Sequence, residues 1–350
     1  MAIMPNQLPT TTTTPTIIGH AAVVSRLAAA VPAPHHAYLF TGPPHVGKRT
    51  LATAFAAALL CERPEPGLSA CGRCAQCLLR LAGNHPDLLE LPREGKLSID
   101  QIRGLKRVLS LGRHSAEVRV GVIPEAERLA GPAQNALLKV LEEPPPQTVL
   151  LLSATTPEAL LPTTVSRCQQ VRLGIPAASE LRQRLTDWQE GGAGQPSVAS
   201  LESAISASAG RPGLAIRLLQ DPERLAERHA WAEQLVELAA APVTTRLSAA
   251  KQLADDPNLP EVLEWWLQLH REALVAEHAS PAGDDAHGKG EQDQAAQGGA
   301  SPPVVALARQ YTVAQLTANM RALVAARRRL GYNPNVLLLV ESTLLSLGET

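Results

Sequence analysis

The stretch that most constrains the fold is Ala37 to Thr50, AYLFTGPPHVGKRT. A short apolar run, Tyr38-Leu39-Phe40, leads into Gly42-Pro43-Pro44-His45-Val46-Gly47-Lys48, and the helix-prone run Leu51 to Leu60 follows. Strand, glycine-bearing loop and helix in that order predict a phosphate loop. There, backbone N–H groups and a helix N-terminus face an anion, and a lysine neutralises its outer charge. Gly42, Gly47 and Lys48 supply those parts and are the positions that would cradle ATP or ADP. The bland alternative is a Gly/Pro turn between a buried strand and a helix. The pattern also asks for Ser or Thr directly after the lysine, whose hydroxyl ligates magnesium, and here that position holds Arg49. Thr50 lies about 100° further round the helix and substitutes poorly. His45 puts a side chain where a glycine would leave room for phosphate. Nucleotide binding is therefore expected to be weak, and the residues alone leave it open.

A second part of the site is missing as well. The strand Val118 to Ile123 ends in Pro124-Glu125-Ala126-Glu127. In a working phosphate-loop ATPase such a strand ends in an Asp that holds magnesium, followed by a Glu that orients water. Pro124 stands at the Asp position, and Glu125 without a metal beside it reads as a solvated helix-start residue. Two losses in one site point to lost hydrolysis. Further strands at Asp87 to Leu91, Thr148 to Ser153 and Gln169 to Leu173 alternate with helices, one capped by Ser98 and one from Gly131 to Glu143. That alternation over 37 to 173 predicts an α/β fold, a parallel sheet with helices on both faces.

Cys61, Cys71, Cys74 and Cys77 follow the loop helix with the spacing C-x9-C-x2-C-x2-C. Four thiolates so spaced can close tetrahedrally on zinc, and four protein ligands leave no open position, so such a metal would be structural. Unligated thiols and redox chemistry are the alternatives; disulfides are disfavoured in a chain that reads as cytoplasmic. The cytoplasmic reading, with no membrane partner, comes from the absence of a long apolar run and of a signal-peptide pattern in MAIMPNQLPTTTTTPT. With 32 Lys+Arg against 33 Asp+Glu, no globally basic surface exists for autonomous nucleic-acid binding.

The expected organisation is a disordered N-terminus at 1–16, a nucleotide-binding-like domain at 17–175 with its zinc module at 61–77, a helical lid at 176–221, and a helical domain at 222–350 containing a disordered loop at 280–303. A first helix is expected over Ile17 to Val31. His20, His35 and His36 should lie at helix ends or on loops, and Pro162 to Cys168 on a loop. Of the adjacent Trp265 and Trp266, at most one is expected to face the core squarely. The basic run Arg327-Arg328-Arg329 reads as a solvated helix face.

The phosphate loop, the four-cysteine insertion directly after its helix, the run NALLKVLEEPP from Asn135 to Pro145 and the triplet Ser166-Arg167-Cys168 together resemble bacterial clamp-loader subunits of the AAA+ superfamily. The resemblance covers roughly 17 to 220. It implies an AAA+ P-loop sheet with an inserted zinc module, a lid, and a C-terminal collar domain. It implies that Arg167 is an arginine finger, catalytic in trans at a neighbouring subunit's ATP. It implies that Gly213 stands where ATPase relatives carry a sensor arginine, and that Cys168 is a buried small residue outside the zinc set. The implied partners are gamma/tau and delta subunits, the sliding clamp and primed DNA, in a hetero-oligomer of the DNA polymerase III holoenzyme. Arg49 and Pro124 depart from the ATP-hydrolysing gamma/tau pattern, which keeps Lys-Thr or Lys-Ser and Asp-Glu. Two rival readings remain: a self-sufficient ATPase working through Lys48 and Glu125, and a zinc-dependent DNA-binding module built on the four cysteines.

Overall fold

The computed structural model describes residues 17–190, 198–279, 301–332 and 334–347. The disorder expected at 1–16 and 280–300 lies outside the described residues. The chain packs as two compact units, 1–195 with 210–216 and 196–209 with 217–350.

The first unit runs α1 (Ala21–Ala30), β1 (Ala37–Thr41), α2 (Lys48–Leu60), α3 (Ala75–Leu81), β2 (Leu88–Glu90), α4 (Ile99–Ser110), β3 (Arg119–Ile123), α5 (Gly131–Glu142), β4 (Thr148–Ala154), α6 (Pro162–Val165), β5 (Gln169–Arg172) and α7 (Ala178–Glu190). The five strands form one sheet in the order β2-β3-β4-β1-β5, and every pairing is parallel. Strands β1 and β4 are buried along their whole length, as their unbroken apolar runs require of a sheet covered on both faces. Alternate residues feed two cores. Tyr38, Phe40, Val149 and Leu151 meet Leu51 and Phe55 of α2 on one face. Leu39, Leu150 and Leu152 meet Ile102 and Leu105 of α4 and Leu137 and Leu141 of α5 on the other. Each such fully buried Leu or Phe contributes about 1.5–3 kcal/mol.

Local chemistry sets the element ends. Ser98 Oγ accepts from Gln101 N at 3.3 Å while Gln101 Oε1 accepts from Ser98 N at 2.7 Å, a reciprocal cap that starts α4. The first helix starts later than its sequence pattern suggests, because Gly19 and His20 take φ of 78° and 64°, and only from Ala21 does the backbone turn helical. Pro162 to Val165 forms a short helix rather than a loop: Pro162 sits in its first turn, and Ser166 N donates to Pro162 O at 2.9 Å. At the sheet edge Asp87 is fully buried and accepts from the N–H groups of His114, Ser115 and Ala116 at 2.7, 2.8 and 2.9 Å. Burial pushes its carboxyl up, but those amides together with Arg119 outweigh it and hold the carboxyl below its ordinary value.

α9 (Pro212–Gln220) begins in the first unit and ends in the second. The second unit is helical: α8 (Val198–Ala207), α10 (Pro222–Ala240), α11 (Val243–Ala254), α12 (Leu259–Ala279), α13 (Pro302–Gln310), α14 (Val313–Leu330) and α15 (Val336–Ser346). α12 is flanked by α10, α13 and α14. That explains a departure from expectation: Trp265 and Trp266 are both buried, at 3% and 0% exposure, because neighbours cover more than one side of their helix. Their indole N–H groups donate to Arg228 O and Trp231 O of α10 at 3.1 and 2.8 Å. A second correction concerns the loop expected at 280–303: helix α13 already starts at Pro302, with proline in its first turn. Arg327 pairs with Glu264 of α12, whereas Arg328 and Arg329 are exposed. Among the described residues no helix is long and apolar enough to cross a membrane.

Candidate functional site

The loop after β1 is braced through its own backbone. Gly42 N donates to Thr155 O, just past β4, at 3.1 Å. A Cβ on Gly42 would lie 2.3 Å from Leu173 O, and its φ is +149°, so only glycine fits. His20, directly before α1, donates from Nε2 to Val46 O at 3.1 Å. The His45 carbonyl accepts from Gly213 N at 2.9 Å, and a Cβ on Gly213 would come within 3.0 Å of that oxygen. The place expected for a sensor arginine is thus filled by close backbone approach.

The side chains of this loop are arranged differently. Lys48 opens α2 and donates from Nζ to Gly42 O at 2.6 Å and Pro43 O at 2.8 Å. Burial lowers its pKa, opposed by the charges of Glu127 and Glu125. Arg49 is exposed and Pro124 buried, and neither side chain carries an oxygen where the sequence pattern expects a magnesium ligand. Glu125 takes φ 49°, and its carboxylate, 63% exposed, pairs with Arg128 at 3.4 Å. The carboxylate tied into the strand ends is Glu127, whose Oε1 accepts from Thr155 N at 3.0 Å and Thr155 Oγ1 at 2.7 Å. Sequence reasoning passed over Glu127 and Thr155. Their signal was weak: a second acid two residues after Glu125, and a Thr following a long buried strand.

Arg167 lies at the other end of the sheet. β5 pairs in parallel with β1, Tyr38 opposite Gln169 and Thr41 opposite Arg172. Arg167 therefore precedes the start of β5, while the loop follows the end of β1. Leu173, against Gly42, is four residues beyond Gln169, roughly 13 Å of extended strand, and Arg167 lies before that strand in the turn closing α6. An arginine side chain does not span that distance, so Arg167 cannot serve its own loop. Its Nη1 donates to Thr163 O at 3.0 Å and its Nη2 pairs with Glu142 Oε1 at 2.9 Å. Its backbone N donates to Thr164 O at 3.3 Å. Cys168 beside it is buried, which pushes its thiol up to about 12.

The four clustered cysteines do come together. Cys61 ends α2, Cys74 caps α3, and the four sulfurs lie within 4.8 Å of one another. A zinc–sulfur bond of about 2.3 Å implies a tetrahedron edge of about 3.8 Å. The Cys61–Cys74 and Cys71–Cys77 separations of 4.0 Å fit that edge. Cys71 N donates to Cys61 Sγ and Cys77 N to Cys74 Sγ, both at 3.4 Å. Backbone amides of Arg73 and Cys74 lower the Cys71 thiol to about 6, whereas burial raises Cys61 and Cys77. A buried set of this kind, with one thiolate favoured and two disfavoured, suits a divalent cation that compensates their charge.

A family profile described as DNA polymerase III, delta subunit, matches residues 20–176, a span that takes in the loop, the four cysteines and Arg167. The chain is 37% identical over 237 residues to the DNA polymerase III subunit delta' of Pseudomonas aeruginosa, covering 66% of this chain and 69% of that protein. It is 33% identical over 253 residues to the delta' subunit of Escherichia coli K12, covering 70% of this chain and 72% of that protein. The Escherichia coli tau subunit of DNA polymerase III is 35% identical over 153 residues, 43% of this chain and 23% of that protein.

Proposed function

This chain belongs to the family of DNA polymerase III delta' subunits, and from that premise we propose that it helps load the sliding clamp onto primed DNA without hydrolysing ATP itself. Its partners are gamma/tau and delta subunits in a hetero-oligomeric clamp loader. The observation that carries this reading is the placement of Arg167 at the sheet end opposite the chain's own phosphate loop. A guanidinium that cannot reach its own loop, yet is 35% exposed, suits an ATP site on a neighbour. Against the charge developing there, such a group is worth roughly 10³ to 10⁵ in rate.

The chain's own loop keeps a phosphate cradle in Gly42, Gly47 and Lys48 and lacks both magnesium oxygens. ATP or ADP bound there would be held by the backbone and Lys48 alone, with no metal to support hydrolysis. Cys61, Cys71, Cys74 and Cys77 hold a structural zinc in this reading. Residues 17–175 act as the AAA+ domain, 176–221 as its lid and 222–350 as the oligomerising collar. The test is ATP turnover by the purified chain alone and after adding gamma/tau and delta subunits, with wild type beside Arg167→Ala. The expected result is no turnover alone, and assembled turnover that collapses when Arg167 is replaced. Turnover by the isolated chain would overturn the reading and make this a motor subunit.

A further inference from the structure

We propose that Glu142 is a positioning residue that aims the Arg167 guanidinium at its target; this rests on the reading of Arg167 as acting in trans. Glu142 is the last residue of α5. A carboxylate at a helix C-terminus opposes the negative end of the helix dipole, whereas Lys139, one turn earlier, complements it. The helix itself gives no reason for an acid at 142. The reason on the structure is Arg167, whose Nη2 lies 2.9 Å from Glu142 Oε1.

Glu142 and Thr163 hold the guanidinium from two separate elements. Glu142 stands on α5, and the Thr163 carbonyl that takes Nη1 at 3.0 Å belongs to α6. Two anchors on a rigid planar group define its plane, which a single anchor leaves free to swing. Each anchor uses one N–H of a different terminal nitrogen, so of the five donors the other three remain for phosphate oxygens. The base of the side chain is also fixed: Arg167 N donates to Thr164 O, Thr164 is 1% exposed, and Cys168 is 8% exposed. What is left to position is the outer half of the side chain, and Glu142 acts there. With 35% and 48% of the two side chains exposed, the pair adds little to folding, as solvent screens it. Its effect is on geometry.

The experiment uses the assembled complex with gamma/tau and delta subunits, clamp and primed DNA. It compares wild type, Glu142→Ala, the isosteric Glu142→Gln, Arg167→Ala and the double variant Glu142→Ala/Arg167→Ala. The expected result is a kcat about 10-fold lower for Glu142→Ala with KM for ATP nearly unchanged, a smaller loss for Glu142→Gln, and unchanged melting temperature and assembly. The double variant should be no slower than Arg167→Ala, because Glu142 acts only through Arg167. If Arg167→Ala collapses turnover while both Glu142 variants keep the wild-type rate, Glu142 has no positioning role and the reading of Arg167 stands. Faster turnover in Glu142→Ala would make it a restraint and overturn the proposal. If Arg167→Ala changes nothing, both fall together.

Discussion

The two ends of the parallel sheet invite comparison. At the end that follows β1, the loop is held by backbone contacts: Thr155 O, Gly213 N and the His20 ring take three of its main-chain groups. At the other end, Arg167 is held by a carboxylate and one carbonyl, with its outer donors toward solvent. One end keeps its shape with no side-chain oxygen at Arg49 or Pro124; the other presents a part-exposed guanidinium. Shape and chemistry have separated within one sheet. If Arg167 acts on a neighbour as proposed, the first end can be altered mainly at the cost of stability and the second mainly at the cost of that neighbour's rate.

The largest expected effect falls on the four cysteines. They follow the end of α2 remote from Lys48 and join it to α3, so a metal held there would tie those two helices together and its removal would loosen that junction. Metal binding is worth on the order of 10 kcal/mol in isolated zinc peptides and less in a chain with its own core. Cys74→Ser should abolish bound zinc in an elemental assay and lower the melting temperature sharply. Next comes Arg167→Ala, expected to slow assembled ATP turnover by roughly 10³ while leaving the melting temperature unchanged. A large stability loss there would erase the contrast between the ends. Gly42→Ala should do the reverse, costing about 2–4 kcal/mol in chemical denaturation because its Cβ would meet Leu173 O. Lys48→Ala sharpens the contrast further: if the loop does not hydrolyse ATP, as proposed, assembled turnover should stay within about twofold of wild type, with the loss confined to the bonds from this lysine to the Gly42 and Pro43 carbonyls.

The smallest effect is one of pH. Burial and the neighbouring His35 hold His36 below its ordinary 6.5, against a raising contribution from an Arg167 backbone hydrogen bond. The folded chain therefore resists taking that proton, and the unfolded chain takes it more readily. Stability tied to His36 is fully present above about 6.5 and declines as pH falls below it. Melting temperatures followed from pH 8 to 5 should fall less in His36→Asn than in wild type.

Much of this was legible in the sequence, and the reason differs by feature. The strand–loop–helix around Gly42, the cap at Ser98 and the grouping of the four cysteines depend on neighbours within a few tens of residues, so spacing revealed them. The brace from His20 to Val46 and the closure of Gly213 on His45 join residues 26 and 168 positions apart. No periodicity announces such pairs. The burial of both Trp265 and Trp266 was missed for a related reason: a helical wheel counts faces and cannot count how many neighbours α12 acquires. Glu127 was overshadowed by Glu125, which occupies the expected position in sequence but turns its carboxylate toward Arg128.

Parallel pairing of β1 with β5 gives the subunit a head and a tail. A contact that runs from the head of one molecule to the tail of the next cannot match itself across a two-fold axis; it is heterologous and directional. Subunits joined this way form a row with a fixed sense, and the row continues as long as each member both gives and takes. On the proposed reading, a member that offers Arg167 at one end and carries Arg49 and Pro124 in place of oxygen-bearing side chains at the other would end the row in that direction.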